Sequence, residues 1–129
     1  MMESEETRTI LVIEDEADIR RFATRVLELE GYRVVSAGDG DDGLKLLRED
    51  CIDLVLLDLR LPGRDGWSVL TEMKIEPRLS NIPVLAFTAS VGEATREKVI
   101  DMGAVGFLVK PLRADSLKEA VAGILLDAG

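Results

Sequence analysis

Four stretches of this 129-residue chain close an apolar run with a side chain able to do chemistry. "TILVI", Thr9 to Ile13, runs into Glu14, Asp15 and Glu16. "DLVLLD" ends on Asp58, "IPVLAFT" on Thr88, and "VGFLVK" on Lys110, with Pro111 behind it. A carboxylate beside a core is costly unless it is paired, metal-bound or solvated. Clustered carboxylates also raise one another's pKa until a cation intervenes. Oxygen donors of this hardness suit Mg²⁺, which takes one or two carboxylates and keeps several waters. Asp58 beside such an ion is a plausible nucleophile, since carboxylates accept phosphoryl groups to give acyl phosphates. Lys110 and the metal would offset the charge on the transferring oxygens, and Thr88 could donate a hydrogen bond to one of them.

Residues so far apart meet only if the fold brings strand ends together. Apolar runs and helical stripes alternate along the chain. Strands are predicted at Thr9–Ile13, in "YRVVSA", in "IDLVLL", in "IPVLAF" and in "VGFLV". Between them, Ile19, Phe22, Ala23, Val26 and Leu27 recur at helical spacing up to Gly31, which reads as a C-terminal cap. "DDGLKLLRED", Trp67 to about Ile75, and Glu93 to Met102 before Gly103 read as helices. The stripe Leu117, Ala120, Val121, Ile124 and Leu125 marks a fifth. Five strands alternating with five helices predict a parallel α/β sheet covered on both faces, with ligands at the carboxyl ends of its strands. Residues 1–8 read as a short flexible tail and 9–127 as one domain.

Composition removes several alternatives. The chain has no histidine, so Ser-His-Asp and Cys-His catalysis are excluded. A single cysteine, Cys51, allows no internal disulfide and is read as a buried, small apolar side chain. A formal net charge of −9 argues against direct nucleic-acid binding. No apolar stretch reaches membrane-spanning length and the N-terminus is acidic, so no membrane association and a cytoplasmic location are expected.

Taken together, "ILVIEDE", "DLVLLDLRLPGRDG", "PVLAFTA" and "GFLVKPL" resemble the receiver domain of bacterial two-component response regulators, over about residues 9 to 126. The resemblance implies a stand-alone, chemotaxis-regulator-like, flavodoxin-like sheet of order 2-1-3-4-5. It implies Asp58 as phosphoacceptor, with Mg²⁺ held by Asp15, Asp58, Glu14 and the backbone carbonyl of Arg60. Thr88 matches the switch hydroxyl, Lys110 the site lysine and Phe107 the aromatic that changes rotamer. The Lys110–Pro111 bond matches one that is cis in the family. Glu14 stands where Asp is the other common choice, and Phe107 replaces a frequent Tyr. Arg60 and Ser90, two residues beyond Asp58 and Thr88, match positions that tune dephosphorylation.

Partners implied in this way are a sensor histidine kinase or histidine phosphotransfer protein and a downstream protein effector. The effector would bind the face of the fourth helix, fifth strand and fifth helix, with the chain a monomer or a phosphorylation-dependent homodimer. Such a domain is a phosphoacceptor and not an enzyme in the ordinary sense. Two rivals stand beside it. A haloacid-dehalogenase-type phosphatase wants a second Asp where Arg60 stands, and a non-phosphorylated pseudo-receiver has no need of clustered charges. Trp67 is read as a helix residue partly packed on the sheet, without a role in the site.

Overall fold

The computed structural model describes residues 7–89 and 93–128. In chain order they form β1 (Thr9–Ile13), α1 (Ala17–Leu29), β2 (Arg33–Ala37), α2 (Gly40–Glu49), β3 (Leu54–Asp58), α3 (Gly66–Ile75), β4 (Val84–Thr88), α4 (Glu93–Asp101), β5 (Gly106–Val109) and α5 (Ala114–Ala128). The strands make one sheet of order β2-β1-β3-β4-β5, and every neighbouring pair is parallel. This is the predicted flavodoxin-like order, and the strand ends move by only one or two residues from the sequence expectation.

Side chains on a strand alternate between faces, and that alternation divides the core in two. Leu11, Ile13, Val55, Leu57, Val84 and Ala86 pack with Leu44 and Leu47 of α2, Val69, Leu70 and Met73 of α3, and Val99 of α4. Ile10, Val12, Leu54, Leu56, Leu85 and Phe87 pack with Ala23 and Leu27 of α1 and Leu117, Val121 and Leu125 of α5. The central strands β1, β3 and β4 are buried along their whole length, which is why they read as unbroken apolar runs. The edge strands β2 and β5 are partly exposed.

Local signals fix the helix ends. Asp39 and Asp65 cap α2 and α3, accepting hydrogen bonds from the backbone N–H groups of Asp42 and Ser68. Gly31 follows α1 at φ 95°, in the left-handed region glycine favours, and its N–H donates to the Glu28 carbonyl. Gly66 answers a different need. A Cβ there would stand 2.3 Å from the Asp58 carbonyl oxygen and 2.5 Å from Leu59 Cα, so only glycine lets α3 begin directly against the end of β3.

Two expectations are corrected. Cys51 is exposed: it lies in the link ahead of β3, and Ile52 fills the buried position beside it. Phe22 stands at the border of the α1 stripe and is 40% exposed, while Ala23 and Leu27 make the contact with the sheet.

Candidate functional site

The ends of β1, β3, β4 and β5 lie on one edge of the sheet and bring the predicted residues together. Asp58, the last residue of β3, is 1% exposed. Its Oδ1 accepts from the Arg60 backbone N–H at 2.9 Å, and its Oδ2 accepts from Lys110 Nζ at 2.9 Å. Lys110 follows β5, its backbone N–H bonded to the Thr88 carbonyl at 2.9 Å and its peptide bond to Pro111 cis, as expected. Lys110 Nζ also lies 3.0 Å from Glu14 Oε1 and 3.9 Å from Glu16 Oε1.

Glu14, one residue past β1, is fully buried. Its Oε2 accepts from the Glu16 backbone N–H at 2.8 Å. Lys110 is close enough to Oε1 for an ion pair yet off the direction of a hydrogen bond, leaving a buried oxygen without a donor. Asp15 is exposed beside it, and one oxygen each from Glu14, Asp15 and Asp58 fall within 4.8 Å of one another.

This crowding sets the electrostatics. Burial pushes the Glu14 carboxyl up to about 7, partly opposed by the Glu16 N–H and by Lys110, with the Asp58 charge adding to the rise. Burial acts on Lys110 in the other direction, but its hydrogen bond to Asp58 and its attraction to the Glu14 carboxylate outweigh it and hold its pKa above the usual lysine value. Glu14, Glu16 and Asp58 thus face one ammonium, with Asp15 close beside them. A donor set of hard oxygens, one of them buried and unbonded, fits a divalent cation such as Mg²⁺.

The flank toward α4 holds the remaining predicted residues. Thr88 ends β4 and is 1% exposed. Phe107 on β5 is half-buried against the core, with the Arg96 guanidinium 5.2 Å above its ring centroid. Arg60 is exposed at the mouth of the site. Ser90 lies outside the described residues.

The sequence reading missed three participants. Trp67, expected to stand apart, lines a cavity of about 240 Å³ with Leu59, Arg60, Thr88 and Thr95, and Lys98 Nζ lies 4.7 Å from its ring centroid. Arg20 of α1 reaches back to the Glu14 carbonyl. Arg96 covers Phe107. The one available signal was the position of Trp67 at the start of the helix that follows Asp58; cations stacked on rings and bonds to carbonyls leave no pattern of their own.

Comparison with known proteins agrees with this geometry. The response regulator receiver domain family matches residues 10–122. The chain is 41% identical to the phosphate regulon transcriptional regulatory protein PhoB of Escherichia coli over 117 residues, 91% of this chain and 50% of that protein. It is 36% identical to the probable transcriptional regulator ycf27 of Porphyridium aerugineum over 116 residues, 90% of this chain and 47% of that protein. The chain therefore spans about half the length of the curated relatives it matches. Among solved structures, a response regulator receiver domain protein from Clostridium thermocellum superposes with a TM-score of 0.84 at 30% identity, covering 94% of this chain and 96% of that one. The Vibrio cholerae chemotaxis protein CheY4 reaches a TM-score of 0.86 at 23% identity over 91% of this chain and 98% of its own, a likeness of fold.

Proposed function

Because this chain belongs to the response regulator receiver domain family, we propose that Asp58 is its phosphoacceptor in Mg²⁺-dependent two-component signalling. The observation that carries this reading is the buried Asp58 carboxylate, 2.9 Å from Lys110 Nζ and grouped with Glu14 and Asp15. One Asp58 oxygen attacks the phosphorus of a phosphohistidine on a sensor kinase or phosphotransfer protein. An O–P bond forms, the N–P bond breaks, and the histidine leaves with its electron pair. Glu14, Asp15, Asp58 and the Arg60 backbone carbonyl would hold the Mg²⁺. Bound there, the ion supplies positive charge for the phosphoryl oxygens. Lys110 supplies a second cation at a fixed point, and the short span of β3 keeps the nucleophile from drifting.

Thr88 then hydrogen-bonds a phosphoryl oxygen, and Phe107 moves inward behind it. The face of α4, β5 and α5 changes shape, which a downstream protein reads. Arg60 and Ser90 set how readily water reaches the acyl phosphate. The domain assists its own phosphorylation and turns over no separate substrate, so it acts as a signalling protein and not as an enzyme. A monomer, or a dimer formed on phosphorylation, suits this role, and a cytoplasmic location suits a kinase partner. Among the described residues no helix is long and apolar enough to cross a membrane.

Intact-protein mass spectrometry after incubation with acetyl phosphate and Mg²⁺ tests the proposal. One added phosphoryl mass is expected, absent without Mg²⁺ and absent in Asp58→Asn. No adduct under any of these conditions, together with no binding of beryllofluoride, overturns it in favour of a non-phosphorylated binding module.

A further inference from the structure

Arg20 and Arg21 are neighbours in the first turns of α1, yet they do different things. Arg21 is exposed and pairs with Asp18 of its own helix. Arg20 is half-buried and turns back toward the carboxyl end of β1. Its Nη1 donates to the Glu14 carbonyl oxygen at 2.7 Å and lies 3.4 Å from that of Asp15. The same Nη1 lies against the turn before α2, 3.4 Å from where a Cβ on Gly38 would stand. One guanidinium thus ties the main chain of both adjacent acidic residues and braces it against the neighbouring loop.

That main chain needs bracing. Glu14, Asp15 and Asp58 repel one another, and Glu14 Oε1 is buried without a hydrogen-bond donor. Side chains in that position relieve the repulsion by swinging apart unless the backbone that aims them is held. The residue at the α1 N-cap, Glu16, gives no side-chain cap to its helix, so beside the bond from its own N–H to Glu14 Oε2, Arg20 is the side chain that fastens the turn between β1 and α1. A charged donor to a carbonyl makes a strong hydrogen bond and fixes the plane of the peptide it binds.

We infer that Arg20 is a positioning residue: by holding the Glu14–Asp15 main chain it keeps both carboxylates converged on Asp58 and so sets the affinity of the site for a divalent cation. The inference rests on the Mg²⁺ site proposed above. Charge and position make opposite demands here. Removing a positive charge near a cation site tightens the cation by electrostatics alone, whereas releasing the carboxylates weakens it.

The test is calorimetric titration of Mg²⁺ into the full 129-residue chain, Arg20→Met and Arg21→Met, with Tm recorded for each. Both substitutions remove one positive charge from adjacent positions on the helix. Arg20→Met is expected to raise the Mg²⁺ Kd by about tenfold, the scale on which groups that orient metal ligands act, and Arg21→Met to leave it equal or slightly lower. An unchanged Kd in a folded Arg20→Met, or an equal rise in Arg21→Met, overturns the inference. Should Arg20→Met fail to fold, Arg20→Gln is read by the same criterion. If the unsubstituted chain takes up no Mg²⁺, the site reading itself falls and this inference with it, an outcome visible before any variant is measured.

Discussion

Among the described residues, carboxylates meet cations in two clusters that are finished to different degrees. Across α2 and α3, Arg48 Nη2 lies 2.7 Å from Glu76 Oε1 and 3.1 Å from Glu72 Oε2. Arg64 in turn joins Asp41 at 2.8 Å, Ser68 at 3.1 Å and Glu72 at 3.3 Å. There each acid faces a guanidinium in partial contact with water. At the strand ends, Glu14, Glu16 and Asp58 share the one ammonium of Lys110, and a buried oxygen is left over. The pKa directions record the contrast: the hydrogen bond from Arg48 draws Glu76 down, whereas burial drives Glu14 up. The first cluster is complete and joins two helices. The second is electrostatically incomplete in the protein alone, and that deficit marks it as a place for a ligand.

The largest expected effect tests the deficit directly. With its pKa raised from 4.5 to about 7, Glu14 keeps a proton in the folded chain after the unfolded chain has released it. Metal-free stability therefore falls as pH rises between those values, by about 3 kcal/mol from this one group. Urea unfolding in the presence of a chelator should show that slope. Glu14→Gln should flatten it and stabilise the chain near pH 8 by about 1 to 2 kcal/mol; an unchanged slope would mean that Glu14 is not held above its ordinary pKa as described. Next in size is the cost to binding: Glu14→Gln or Asp15→Asn should weaken Mg²⁺ at least about tenfold, while Glu76→Gln leaves its Kd alone. The smallest effect belongs to the completed cluster. Glu76→Gln should lower Tm slightly, and the loss should shrink further in high salt, because exposed ion pairs are weak and screened. A Glu76→Gln loss as large as the Glu14→Gln gain would erase the distinction between the two regions.

Much of the site was legible because its residues end apolar runs. Asp58, Thr88 and Lys110 announce themselves as polar side chains closing a hydrophobic stretch, and in a parallel sheet all such ends share an edge. The Arg48–Glu76 and Arg64–Asp41 pairs were not legible, since they span 28 and 23 residues and depend on how two helices lie side by side. Arg20 was hidden for another reason: its partners are carbonyls, which every residue has. Cys51 was misjudged from the average behaviour of its type, although it stands one residue outside the buried segment, where Ile52 already occupies the core.

Trp67 is the only tryptophan in the chain. It sits beside Arg60 and Thr88, with the Lys98 ammonium over its ring. Indole emission from this protein therefore comes from a single point at the edge of the candidate site, beside the cation above its ring. Any event that rearranges the Arg60–Thr88 flank or moves α4 relative to α3 writes itself into that one optical signal, with no dye attached and no second fluorophore of its kind to subtract.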